Sequence, residues 1–335
     1  MNNFDEKGIS YFSNRHIGHF ISDLKALKKT GFNSVMHTFS EEDMLYSAGN
    51  IRDMVAAGKE HGFKSWIDPR GVGRVFGGGS LSAFLLENTA AWQVLSDGKK
   101  YPAACVNNPL FRKFMTGWID TAVSTGVDAI MWDNPGFALK LKGSKKIWGC
   151  RCAYCREGYE IQNLKSMPLF KMDESVAAFR DLSIKRFIAQ MSAYAKQISS
   201  GKIKISAMFS SSQDTPFKSA VFESIANLKD VDTLGTAPYW FNSPEKTDVY
   251  EFCLKAASSI TEICELSGKK PHFWLQGFGY KKGKEGQAMQ AANAAKDAGI
   301  KNLWVWGLNG GKIMSSISSD NPSNTWKAII RAINS

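Results

Sequence analysis

The chain has 335 residues, a 44% hydrophobic and 22% charged composition, and a formal charge of +11. Such a chain buries a core without disulfides. Its longest apolar runs are broken by charge within about ten residues, short of the roughly 20 a membrane span needs. The N-terminal "MNNFDEKGIS" carries two acids and lacks the basic-then-apolar layout of a signal peptide, so the expected compartment is the cytoplasm.

Strand-like and helix-like segments alternate along the chain. "GISYF" (8–12) reads as a strand, and 17–30 as a helix with Phe20, Leu24 and Leu27 on one face. Strand 33–39, helix 48–61 and strand 63–68 follow, then the glycine-rich "PRGVGRVFGGG" loop. Residues 81–96 read as a helical insertion. "QVLSDGKKYPAA" reads as a hairpin, because Asp97-Gly98 is a favoured tight-turn pair. Pro109 opens a helix over 109–125, and "VDAIMWD" (127–133) is the fourth strand of the series. A cysteine-rich loop precedes helices near 153–163 and 173–199. Strands follow at 203–209, 231–240, 272–278 and 302–307, with amphipathic segments near 246–267, 284–298 and 323–333.

About eight βα units result. Parallel strands need crossover helices, and continuous apolar strands are buried on both faces. The expected fold is an α/β (β/α)8 TIM barrel occupying 1–335 as one domain, with insertions near 71–108 and 134–172. An open doubly wound sheet is the alternative, but no Gly-rich fingerprint follows the first strand.

Cys150, Cys152 and Cys155 form C-x-C-x2-C in the loop after strand four. A structural zinc takes four ligands. Cys253 and Cys264 fall on apolar positions of an amphipathic segment and read as core. Cys105, in "YPAACVNNPLFRKF" just before a helix leading to strand four, is the better fourth ligand. The competing readings are a reduced, metal-free loop and a redox pair, the latter without the thioredoxin-like context.

This segment, from Cys105 through the "NNPLFRKF" helix start to Cys155, resembles the β-galactosidases of glycoside hydrolase family 42. Those enzymes are TIM barrels with a zinc-binding cysteine cluster after strand four. Over much of its length, including "HTFSEED" and "DPRGVGRVFGG", the chain also resembles a group of barrel proteins regarded as glycoside hydrolases. The resemblance implies a carbohydrate substrate and a zinc, here structural, at Cys105, Cys150, Cys152 and Cys155.

Barrel chemistry sits at the C-terminal strand ends. Glycoside hydrolysis needs two carboxyl groups, and the candidates there are Asp133, Asp68 and Glu42 of the Glu41-Glu42-Asp43 cluster. Asp133 in "WDN" stands where the resemblance places an Asn-Glu acid/base pair. Asn134 or Pro135 takes the glutamate's place. His37, Trp66, Arg70, Asn134, Tyr239, Trp240, Gln276 and Trp306 are candidate substrate contacts, since aromatic faces with polar edges suit sugar rings. Trp132, Gln213 and Asp214 also lie near strand ends. Gln276 occupies the strand-seven position where the resemblance implies a nucleophilic glutamate. An amide cannot attack, so an inverting pair, a substrate nucleophile or sugar binding without hydrolysis remain. His16 and His19 lack a third ligand for a metal.

Arg70, Arg74, Lys140–Lys146 and Lys281–Lys284 lie in loops on one barrel face, and an acidic sugar would suit them. No nucleic-acid motif accompanies the basic residues, and neither a nucleic-acid nor a membrane partner is expected.

Overall fold

The computed structural model describes residues 4–12, 14–142, 145–211, 219–241 and 247–335, with the side chains of 141–146 and 210–220 left aside. The expected Gln213 and Asp214 lie outside the described residues.

Eight parallel strands close into a barrel: β1 (Glu6–Tyr11), β2 (Ser34–Thr38), β3 (Lys64–Asp68), β4 (Ala129–Asp133), β5 (Lys204–Ser211), β6 (Thr233–Pro238), β7 (Lys270–Gln276) and β8 (Asn302–Trp306), with β8 pairing back onto β1. The helices α1 (Ile17–Lys29), α2 (Ala48–Glu60), α3 (Pro109–Ser124), α4 (Glu174–Ile198), α5 (Ser219–Ala226), α6 (Val249–Ser267), α7 (Gln287–Asp297) and α8 (Pro322–Asn334) follow the strands in turn. The fold is the (β/α)8 barrel. Among the described residues no helix is long and apolar enough to cross a membrane.

The strand period of two divides the apolar residues into two sets. Ile9, Val35, Ile67, Ile130, Ile205, Leu275 and Val305 join the core shared with the helices. Met36, Trp66, Ala129, Met131, Met208, Ala237, Trp274 and Trp304 fill the barrel interior. Two glycines make room for interior rings. A Cβ on Gly8 would collide with the Trp304 ring, and one on Gly235 with the His272 ring. Helix starts are capped from the side chain: Asn108 accepts from Leu110 N, Asp173 from Val176 N and Asp248 from Glu251 N. His16 does the same for α1, accepting from His19 N, which accounts for that histidine pair.

Three segments differ from the sequence expectation. The 81–96 helix stops after Ala83–Glu87, because the Asn88 amide turns back onto Phe84 O at 2.9 Å; a 3-10 turn and the strand Trp92–Val94 follow. That strand pairs with Lys100–Ala104 around Asp97-Gly98, as the turn pair implies. The cysteine loop contains a second hairpin, Leu139–Lys142 with Lys145–Trp148, whose lysine-rich strands gave no apolar pattern. The helix α5 spans only eight residues, too short for a clear period.

The insertions after β3 and β4 are stitched together. Buried Gln93 donates to Ala104 O (3.0 Å) and accepts from Ala138 N (2.9 Å). Arg151 N donates to Val94 O and Ser96 N to Trp148 O, each at 2.7 Å. This docking carries Cys105 to the C-x-C-x2-C loop.

Candidate active site and cysteine cluster

The Sγ atoms of Cys105, Cys150, Cys152 and Cys155 all lie within 4.8 Å of one another, and all four residues are buried. Cys105 is 3.4 Å from Cys155 and 3.5 Å from Cys152. A tetrahedral zinc with Zn–S near 2.3 Å needs sulfur separations of roughly 3.8 Å, which fits this spacing. Backbone and amide donors point at the sulfurs: Val94 N and Cys152 N at Cys150, Asn107 N at Cys105, Asn107 Nδ2 at Cys155. Such donors favour thiolate ligands. The four residues could therefore hold a metal ion. Asn107, two residues after Cys105, had no ligand signal of its own in the sequence. Cys253 and Cys264 are buried on α6 in the core, as their apolar phase implies.

At the barrel mouth, Asp68 and Asp133 end adjacent strands on their interior faces. Ile67 pairs with Ile130, which places Asp133 two residues nearer the mouth than Asp68. Burial pushes the Asp133 carboxyl up to about 7. Burial first and the Asp133 charge second raise Asp68 well above the ordinary carboxylate value, while Arg70 and Arg15 pull it down. Both Asp68 oxygens are buried without a hydrogen-bond partner. An isolated charge there is costly, which is the physical cause of that upward shift. Asp133 retains 7% exposure.

The loop after β3 closes over this pair. Gly77 N donates to Asp133 O at 2.9 Å, Gly136 N to Val75 O at 3.0 Å, and Gly71 N to Gly77 O at 2.7 Å. A Cβ on Gly77 would collide with the Asp133 carboxyl. The Arg70 guanidinium lies 5.1 Å over the Phe12 ring, and Phe12 stacks on Trp306 with centroids 5.8 Å apart. Tyr239 meets Phe278 edge-on at 5.2 Å, and burial, then the Asp133 charge, raise its hydroxyl well above the usual value. Phe12, at the end of the first strand, was not among the expected substrate contacts.

Asp133, Asp68, Arg70, Tyr239 and Trp306 thus gather at the mouth. The other expected contacts do not. His37 is one residue out of phase with interior Met36; its ring packs 5.4 Å from Phe20 of α1, and burial lowers it to about 3, so it is neutral. Trp66 faces inward but sits lower in the barrel, against Trp304 and His272. Trp132 points outward and donates to Ser192 Oγ. Trp240 also points outward, with Nε1 donating to Gln287 Oε1. Asn134 adopts a left-handed φ of 46° and is exposed on the rim.

The acidic cluster after β2 is largely an anchor. Glu41 is buried and accepts from Gly73 N, Ser82 Oγ and Phe84 N, tying down the loop after β3. Asp43 accepts from Arg15 at 2.7 Å and from Ser40. Glu42 is exposed and does not join the mouth.

Gln276 is fully buried, and its amide is committed at both ends. Oε1 accepts from Trp240 N (2.8 Å) and Phe241 N (3.1 Å), and Nε2 donates to Phe278 O (2.8 Å). A glutamate would keep the two acceptor contacts but set a carboxylate against the Phe278 carbonyl. Gln276→Glu is expected to cost about 1–3 kcal/mol, read as a lower urea midpoint with unchanged m-value. An equal or higher midpoint would show that the amide is not needed there.

The expected basic rim assembles only in part. Arg74 (5.7 Å) and Lys140 (4.3 Å) both lie against the Tyr101 ring. Arg70 sits separately on Phe12, and Lys281 is exposed and lies 3.8 Å from Asp320.

The fold and the paired carboxyls define a (β/α)8 barrel with a candidate acid/base site at its C-terminal mouth. No family model matches the chain, and no curated protein matches it in sequence. Solved structures share the fold. A glycoside hydrolase family 42 β-galactosidase from G. stearothermophilus superposes with a TM-score of 0.72 at 12% identity, over 99% of this chain and 56% of that one. The catalytic domain of a β-amylase from Paenibacillus polymyxa gives 0.66 at 11% identity, over 97% and 98%. An endo-1,4-β-mannanase from Rhizomucor miehei gives 0.61 at 11%, over 99% and 95%.

Proposed function

We propose that this chain is a carbohydrate-active enzyme, a glycoside hydrolase working at the C-terminal mouth of the barrel. The observation that carries this reading is the pairing of Asp68 and Asp133, interior carboxyls on adjacent strands, with raised proton affinity. Two neighbouring carboxyls resist ionising together and keep a proton available near neutral pH. Asp133, the more accessible, donates it to the leaving oxygen. Asp68, once ionised, is the base or the charge that stabilises the oxocarbenium-like transition state. Tyr239, Trp306 and Arg70 form the surrounding contact surface. The barrel-hydrolase neighbours are consistent with this assignment.

Cys105, Cys150, Cys152 and Cys155 hold a structural zinc in the same reading. Four thiolates leave no open position for catalysis, so the ion supports the insertions beside the mouth. Thiols in this state suit a reducing compartment, the cytoplasm.

The second reading is a barrel that binds sugars without hydrolysing them. The committed amide of Gln276 favours it, because the position where the sequence resemblance implies a nucleophile here braces the backbone. A panel of aryl glycosides and oligosaccharides, assayed for turnover and for binding, separates the two. Turnover supports the hydrolase; saturable binding with no product from any bound sugar supports the binding barrel.

A further inference from the structure

Beside the mouth lies a cavity of about 550 Å³, between the loops after β3 and β4 and the helices α4 and α5. Arg74, Arg180, Tyr101, Phe137 and Phe222 line it, and Asp181 is the one acid in its described lining. Arg180 is more than nine-tenths buried; its guanidinium donates to Met172 Sδ (3.0 Å) and lies near Phe137 O and Ala138 O, while Nε has no partner. Arg74 keeps a left-handed φ of 50°, costly for a non-glycine residue, while its guanidinium rests against Tyr101 beside Lys140. Gly77 belongs to the cavity wall and also touches the Asp133 carboxyl, so the cavity adjoins the acid/base pair.

We propose that this cavity is a subsite for the anionic substituent of a sugar, held by Arg74 and Arg180 over an aromatic floor, with Lys140 adding positive charge at its edge from the Tyr101 ring. The inference rests on the carbohydrate reading above and names its substrate class. Arginine forks match carboxylate and sulfate oxygens, and a buried guanidinium with a free donor gains most from such a partner. Tyr101, Phe137 and Phe222 supply the flat apolar surface that a sugar ring needs.

The test is calorimetric titration of the full chain with D-galacturonate, D-galactose 6-sulfate and D-galactose at fixed ionic strength. Arg74→Gly combined with Lys140→Gln is the variant, since glycine accepts the left-handed backbone and Lys140 is exposed. The expected result is at least tenfold tighter binding of one charged sugar than of galactose, reduced about tenfold or more in the variant. The identity of that sugar distinguishes carboxylate from sulfate. Charged sugars binding no tighter than galactose, or equally well in a folded variant, overturn the proposal. Because the readout is binding, it is separable from turnover. Hydrolysis of neutral glycosides without charged-sugar preference removes this inference alone; charged-sugar binding without hydrolysis removes the hydrolase reading alone.

Discussion

Replacing Asp133 by Asn is expected to lower kcat by about 10²–10⁴, the usual contribution of a general acid, while sugar affinity stays within a few-fold. The amide keeps the shape and removes the proton. Steady-state rates with a binding titration check this, and an unchanged rate would move the donor role to another group. The pH dependence has a definite sign. Asp133 has a folded-state value near 7, above its ordinary carboxylate value of 3.8. A donor must be protonated, so wild-type turnover falls as pH rises through about 7. The same shift acts on stability. A raised carboxyl favours the folded state at low pH, and that contribution is lost as pH rises from the unfolded value through the folded one. Asp133→Asn is therefore expected to be more stable than wild type above pH 7, by on the order of a few kcal/mol, with the difference vanishing near pH 4. Thermal melts across that range would show the convergence.

Removing the proposed zinc is expected to have the largest effect on stability. Purified protein is predicted to carry about one zinc per chain. Chelation, or Cys152→Ser, is expected to lower Tm by roughly 10 °C, because ion binding is linked to folding. The effect concentrates where the two insertions dock through Gln93, Val94 and Arg151. Turnover by the chelated protein at temperatures where it stays folded is predicted to persist. Metal analysis without zinc, or a Tm indifferent to chelation, would contradict the assignment.

The barrel was legible because its strands are continuous apolar runs, and the cysteine cluster because thiols so closely spaced are rare in a chain with six. The mouth was legible in position but not in phase. Choosing residues by nearness to a strand end admits both faces. Interior Met36, Met131 and Ala237 set the parity, which brings Asp68, Asp133 and Tyr239 in and turns His37, Trp132 and Trp240 toward the helices. Trp66 has the right phase but the wrong height. Glu41 and Gln276 look catalytic by residue type and position. Only their backbone partners show them as braces, and most of those partners come from loops distant in sequence. The Arg180 cavity joins two loops and two helices, so no local motif announces it.

The proposed reaction is cleavage of a glycosidic bond by water at Asp133. Hydrolysis of an oligosaccharide library in 18O-labelled water, read by mass spectrometry, tests it most directly. Wild type is expected to place 18O in the new reducing ends, and Asp133→Asn to place almost none. Oligosaccharides that bind to wild type yet yield no labelled product would contradict it.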